Sequence, residues 1–584
     1  MAVSRSLAMG ARLRWQAGTD AAYRRGGLDH EQAFTVCALV AVLLGSALLV
    51  ASAAGGSARG DGVSLVRIAS DPFGSGVPGA HATVVEPSAV AVGSTIVSVF
   101  QVGRGNLGGG AAAIGFATST DRGAYWRSGL VPGLTTWTPD PGTHSRASDP
   151  VVAYDALRGR YLVAALLTGG DLAISASPDG VSWGAPATAT SGYVDKEWLT
   201  CDGWSSSPFR GRCYLAYTRF DPPGVNLRIE VQASADGGQS WTAPVVIPID
   251  NSLLRFEDTV SAEPVVRPNG EVVVFFFEGT RIRAARSSDG ATSFGPREAV
   301  ADLAWRTYSF APERLRAPNI PSVAVDPAGT VYAVWSDCRF HDGCSANDIV
   351  LTFSSAPGLW AAPQRIPLDS LSGTKDFVLP ALTVQRGKRS GRTQLALAFY
   401  SLTTPDCTGD GCELAAGIAT SSNAGGSWRI RDVGSPMRLD WLAPTTVGRM
   451  VGDYVAAVFV SGRAVGIYSL AGSKQGESFD QAAYAASAPV PLPPRNTRRP
   501  RVVGQARVGR TLTCRRGSWS GTSPIAWGYR WLRGGHPIRR ATAAGYRPTR
   551  REASALVACR VRATNTAGSA EATAKAVRVR GKKS

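Results

Sequence analysis

Ser119-Thr-Asp121-Arg-Gly123-Ala-Tyr-Trp126 and Ser234-Ala-Asp236-Gly-Gly238-Gln-Ser-Trp241 match position for position. Looser copies are Ser177-Pro-Asp179-Gly180-Val-Ser-Trp183, Ser287-Ser-Asp289-Gly-Ala291-Thr-Ser-Phe294 and Ser421-Ser-Asn423-Ala-Gly425-Gly-Ser-Trp428. A sixth stretch, Ser354 to Trp360, lacks the acid. The Ala-Ala-Pro-Gln-Arg-Ile-Pro after Trp360 parallels the Thr-Ala-Pro-Val-Val-Ile-Pro after Trp241 and fixes the alignment. The aromatics Trp126, Trp183, Trp241, Phe294, Trp360 and Trp428 stand 57, 58, 53, 66 and 68 residues apart, a period that points to a radial or stacked architecture. Each copy predicts a tight turn. The carboxylate and hydroxyl bond turn amides, glycine takes a positive φ, and the ring packs beneath.

A second repeat precedes each turn and reads as two alternating strands around a short loop. Seven copies begin at Pro87, Pro150, Glu197, Pro264, Pro321, Pro380 and Asp453. Period-two alternation, β-branched residues and glycine-containing turns make them hairpins. With the strands flanking each turn motif, every copy yields a four-stranded unit, and a ring of such units protects its sheet edges. Composition agrees: Gly 66 and Pro 36 make the chain turn-rich, and Met 4 argues against a helical bundle. At 584 residues, two or three folded units are expected.

The S-x-D-x-G-x-x-W pattern resembles the Asp-box, or bacterial neuraminidase repeat, of sialidases and other β-propellers. The resemblance implies an all-β propeller over 63–484, seven-bladed from the hairpin count, with six blades, usual in sialidases, as the alternative. Val63 to Ala69 is a candidate strand to complete the last blade and close the ring. In that family the Asp-box turns lie opposite the active site, and the catalytic outfit is three arginines, a Tyr nucleophile activated by Glu, and an Asp acid/base. This chain departs from it. The family's Arg-Ile-Pro near the first inner strand is Val85-Glu86-Pro87 here, and Arg365-Ile366-Pro367 aligns with Val246-Ile247-Pro248 on an outer strand. Arg219, Arg339 and Arg104 would form another triad and Tyr308 or Tyr454 another nucleophile, with no motif carrying those roles over.

Propeller geometry places the loops before the inner strands and after the second strands on one face. The residues there give a candidate ligand-binding face of Glu86, Asp149, Glu197, Glu263, Glu278, Asp337 and Asp453, joined by Lys196, Arg219, Arg339 and Tyr400. Arg219, Arg339, Glu263 and Asp149 are the catalytic candidates. The competing reading makes these acids loop caps and partners of neighbouring arginines. No HExxH, Walker A, Rossmann or G-x-S-x-G pattern occurs, and five scattered His residues offer no spaced metal pair. No metal and no cofactor are expected.

The formal charge of +18 belongs to one end. From Arg495 onward, 22 Arg and Lys face only Glu552 and Glu571, so the tail carries 22 − 2 = +20 and the remainder 18 − 20 = −2. Nucleic acid is therefore not an expected partner of the main body. Residues 485–500 read as a Pro-rich linker. From 501 to 581, the order Cys514, Trp531, Cys559 resembles a small bacterial Ig-like sandwich, with Val557 where the tyrosine corner would stand. Its arginines would bind anionic envelope polymers or would form a solvated face.

Residues 33–54 form an uncharged apolar run behind a basic leader, 1–32. A retained anchor would make a single-pass membrane protein with its bulk outside; cleavage near Ala51-Ser52-Ala53 would secrete it. Cys37 lies within the run. The other cysteines fall into the pairs Cys201 with Cys213, Cys338 with Cys344, Cys407 with Cys412, and Cys514 with Cys559, suited to disulfides in an oxidising compartment. The sequence thus predicts an exported cell-envelope propeller that recognises or processes cell-surface or extracellular glycans. The alternatives are an active exo-sialidase releasing terminal acidic sugars and a non-catalytic adhesion or assembly scaffold.

Overall fold

The structure, a computed structural model, describes residues 62–581 apart from 106–108, 221–226, 250–260, 307–310, 386–392, 406 and 566. The apolar run 33–54, Cys37 and Tyr308 lie outside the described residues. Among the described residues no helix is long and apolar enough to cross a membrane, and regular structure is all β apart from one-turn 3-10 segments.

Strands follow one another in groups of four. The first group runs Ala80–Val92, Thr95–Arg104, Ala111–Ser119 and Arg127–Leu130, and the second, which begins with Ala147–Asp155, continues the same sheet through the single pair Ala111 and Ala147. The next sheets begin with Val194–Cys201, Ala262–Val266, Ser322–Val325 and Asp376–Val384. In the last, Ala456–Val460, Arg463–Ala471 and Gln481–Pro489 are completed by Ser64–Ala69, from the start of the described chain, which pairs antiparallel with Gln481–Pro489. Each first strand touches the first strand of the next sheet, and Ala456–Val460 touches Ala80–Val92, so the seven contacts close into a cycle.

Packing obeys the same order. Second strands such as Val272–Glu278 (VVVFFFE) are buried along their whole length, as expected for continuous apolar strands covered on both faces. Each successive pair of sheets shares an apolar cluster; the one joining the last sheet to the first sets Val465 and Ile467 against Ile96, Phe100 and Val102. Burial of this kind, about 25 cal/mol per Å² of apolar surface, holds sheets together that share almost no backbone bonds.

The repeated turns have the predicted bonding. Asp236 Oδ1 accepts from Ser234 Oγ at 2.8 Å and from the amides of Gln239 and Ser240 at 3.0 Å, while Ser234 Oγ accepts from the Gly238 amide at 2.8 Å. Gly238 has φ +84°, and a Cβ there would stand 3.1 Å from Ile174 of the preceding sheet. Asp121, Asp179 and Asp289 repeat the arrangement, and Asn423 substitutes for the acid in the last copy.

All four cysteine pairs are disulfides. Cys514–Cys559 lies in the C-terminal β-unit, where it packs with the fully buried Trp531 and with Leu512, Val557 and Val561. Val557 is there a core residue facing Arg533 across the ladder.

Candidate functional site

Four of the first strands carry a register break at the same place. Pairing skips between Val85 and Ser88, Ser148 and Val151, Asp195 and Trp198, and Val378 and Ala381. The bulged residues, Glu86, Asp149, Lys196 and Leu379, have φ of 55°, 46°, 54° and 52°. Left-handed backbone costs a non-glycine residue about 1–2 kcal/mol, and bulges serve to re-aim side chains. Leu379 shows that the bulge belongs to the repeat. What varies is the side chain that it presents.

Glu86 and Asp149 meet Asp453, which lies just before the last sheet's strand Ala456–Val460, with carboxylate oxygens of the three within 4.8 Å of one another. All three are buried. Lys196 Nζ lies 3.3 Å from Asp149 Oδ1 and also contacts Asp453 Oδ2. Arg316 Nε donates to Asp453 Oδ1 at 2.6 Å, and a second guanidinium nitrogen reaches Oδ2. Gln101 donates to Glu86 and, at 3.2 Å, to Ser148 Oγ, whose hydroxyl lies 3.1 Å from Asp149 Oδ2. Arg316 is fixed by main-chain pairing of its loop: its amide donates to Arg449 O at 2.8 Å, beside the hairpin formed by Ala443–Thr445 and Gly448–Met450.

The chain before the last sheet meets the first sheet here. The Glu86 amide donates to Val451 O at 3.1 Å, and the Asp453 amide donates to Glu86 Oε1 at 3.2 Å. Between them Gly452 takes φ +145°, and a Cβ on it would stand 2.8 Å from the Glu86 amide nitrogen and 2.7 Å from Tyr454 O. Only glycine fits that approach.

Acids outnumber cations in this cluster, and the protons follow. Burial, reinforced by Asp149 and Asp453, pushes Glu86 up to about 8. Burial with Asp149 nearby raises Asp195 to about 6 and lifts Glu197 well above the carboxylate range. Burial also acts upward on Asp453, but Arg316 and Lys196 outweigh it and hold this carboxyl below its ordinary value. Burial opposes the charge on Lys196, yet Asp149 and Asp453 dominate and raise it. Both carboxylate oxygens of Glu197 are buried without a hydrogen-bond partner among the described residues.

Beside the cluster lies a cavity of about 220 Å³ lined by the first strands, with Trp198, Thr200, Glu263, Asp453 and Tyr454 in its wall. Trp198 and Tyr454 meet edge to face, ring centroids 5.3 Å apart. Glu263 Oε1 accepts from the Val323 amide at 3.2 Å, and burial pushes the group up to about 8. Tyr454 donates to Pro150 O at 3.1 Å. Burial and the carboxylates Glu86, Asp149 and Glu197 drive its phenol well above the ordinary value, the opposite of what a phenolate nucleophile requires.

Of the expected face, the structure therefore joins Glu86, Asp149 and Asp453, with Glu197 and Glu263 against the neighbouring cavities. Glu278 and Asp337 are elsewhere: Glu278 pairs with Arg283 at 2.8 Å and with Arg297, and Asp337 with Arg339 and with Trp335 Nε1 at 2.9 Å. The three arginines of the expected triad share no partner. Arg219 binds Glu230 at 2.7 Å and Thr190 Oγ1 at 2.9 Å, Arg339 binds Asp337 and Asp302 O, and Arg104 reaches Gly110 O and, at 3.2 Å, Met450 Sδ. Tyr400 is core, its hydroxyl donating to Ser469 O at 2.9 Å, and Arg365 pairs with Asp348 on an outermost strand. Sequence reasoning missed Arg316, Gln101, Trp198 and Asp195. Asp195-Lys196-Glu197, three charges opening a buried strand, was a readable signal; Arg316 lies in a connection outside the repeat and gave none.

No protein-family model matches the chain, and no curated protein matches it. Among solved structures, the chain is similar to Penicillium chrysogenum alpha-L-arabinanase, with 14% identity over 73% of this chain and 97% of that one, and a TM-score of 0.37. The NanB sialidase from Streptococcus pneumoniae gives 11% identity, 71% and 70% coverage and a TM-score of 0.37. A PL25 ulvan lyase gives 9% identity, 72% and 95% coverage and a TM-score of 0.41. Likeness at this level says nothing of the chemistry here.

Proposed function

We propose that this chain is an exported cell-envelope protein whose seven sheets are the blades of one propeller, and that it recognises glycans in the space enclosed by the first strands. One observation carries the reading: the repeat's bulge delivers Glu86, Asp149 and Lys196 from three successive sheets to one point, beside a cavity walled by Trp198, Tyr454 and Glu263. Strained backbone that gathers charged side chains at one point is the pattern of a functional site, and the adjoining cavity, with aromatic side chains and a few polar groups in its wall, suits a sugar ring. The apolar run 33–54 supports export, as an anchor or as a cleaved signal. The C-terminal unit is read as an Ig-like module that, with the residues flanking it, presents the +20 charge of the tail from Arg495 onward to anionic envelope polymers.

A hydrolytic reading has one observation of its own. Glu86 is held protonated beside Asp453, which is held ionised, and carboxyl groups whose affinities are pushed apart make an acid/base pair. The sialidase form of that reading is the weaker, since the arginine triad is dispersed and Tyr454 is driven away from ionisation. A glycan array on the full-length chain, with a panel of fluorogenic glycosides, separates the readings. Binding without turnover supports recognition; turnover abolished by Glu86→Gln makes it a glycosidase; neither, with protein partners retained on envelopes stripped of sugar, makes it a scaffold.

A further inference from the structure

We infer that the 220 Å³ cavity takes a single sugar ring bearing a primary ammonium group, with Glu263 as its counter-charge. This rests on the glycan reading and names the class of sugar. Every ionisable side chain in the cavity wall is an acid or a tyrosine: Glu263, Asp453 and Tyr454, with no Lys, Arg or His. Asp453 is already neutralised by Lys196 and Arg316. Glu263 is buried, has the Val323 amide as its hydrogen-bond donor, and makes no ion pair among the described residues. A buried carboxylate without a cation is costly, so a ligand that brings one gains most at this position. The Trp198 and Tyr454 rings share the wall, and aromatic faces attract an ammonium further, by about 2 kcal/mol where water is excluded.

The dimensions and donors exclude the other occupants. The volume is below the roughly 300–1,000 Å³ of drug-sized sites, which fits one ring rather than an oligomer. A calcium ion takes about six to eight oxygens. Glu263 supplies two at most, and the carboxylates that approach one another, Glu86, Asp149 and Asp453, already hold Lys196 and Arg316. An acidic sugar would bring its charge against Asp453 and leave the Glu263 carboxyl protonated, with no ion pair gained. Acetylating the amine removes the cation that would draw the proton off Glu263.

The test is isothermal titration calorimetry of the full-length chain with D-glucosamine, N-acetyl-D-glucosamine and D-glucose near neutral pH. Glucosamine should bind at least about tenfold more tightly than the other two, and Glu263→Gln should reduce that preference to within about threefold. In the wild type, glucosamine binding should also release a proton to the buffer as the Glu263 carboxyl ionises, read by comparing buffers of different ionisation enthalpy; this readout stands even if the variant fails to fold. Equal affinity for glucosamine and N-acetylglucosamine, or binding without proton release, overturns the inference and leaves the glycan reading intact. No binding of any of the three also overturns the inference, and the glycan array then decides separately whether the glycan reading stands.

Discussion

Replacing Lys196 with methionine keeps the length of the side chain and removes the charge at the centre of the ring. Lys196 Nζ is 3.3 Å from Asp149 Oδ1 and contacts Asp453, and its side chain is only 11% exposed. Two unit charges at that separation attract by about 5 kcal/mol at an effective dielectric of 20. Removing one member of such a pair typically costs about 3–5 kcal/mol, because the other is left buried and uncompensated. Asp453 retains Arg316 and Asp149 retains the Ser148 hydroxyl, so Lys196→Met should destabilise by about 3 kcal/mol, the lower end. Adding Asp149→Asn removes the orphaned charge and should restore about 1–3 kcal/mol. Urea unfolding followed by tryptophan fluorescence measures both. A loss below about 1 kcal/mol, the range of surface pairs, or a double variant no more stable than Lys196→Met, would refute the view that this cation neutralises buried carboxylates.

Stability should fall as pH rises through the range set by Glu263. Its unfolded carboxyl releases a proton near 4.5 while the folded one holds it to about 8, so the unfolded state binds fewer protons between those values and gains with rising pH. Glu86 acts in the same direction. Melting temperature should drop across that window, and Glu263→Gln should flatten the drop; an unchanged slope would show that Glu263 does not titrate there. Asp236→Ala strips one turn of its hydroxyl and amide bonds and should cost about 0.5–2 kcal/mol, as loss of a helix cap does, with ligand binding unaltered; lost binding would move the site to the turns. Gly452→Ala drives a Cβ into the Glu86 backbone and should cost more than about 2 kcal/mol, read by the same urea titration; a neutral result would mean that ring closure is loose there.

Local physics was legible and convergence was not. The Ser234–Trp241 turn closes on itself within four residues, so its bonds could be read from spacing alone. Val272–Glu278 and its equivalents announced themselves as strands through apolar runs. Asp453 and Glu86, by contrast, bond across 367 residues, and Arg316 and Asp453 across 137. The repeat alignment found the acids at the strand starts and Lys196 among them, but not Arg316. It also grouped Glu278 and Asp337 with them, although residues at the second-strand ends face arginines of their own sheet or following turn rather than the enclosed space. The three-arginine expectation failed to assemble for the same reason: Arg219 and Arg339 are each closer to a carboxylate of their own sheet than to one another's partners.

Ligand should meet this protein where the first strands converge. Hydrogen–deuterium exchange on the full-length chain, with and without the tightest glycan from the array, tests it directly. Protection should appear at the strand starts carrying Glu86, Lys196 to Trp198, Glu263 and Asp453 to Tyr454, with the Asp121, Asp179 and Asp236 turns unchanged. Protection confined to those turns, or to the C-terminal unit, would place the ligand away from the first strands and rule this site out.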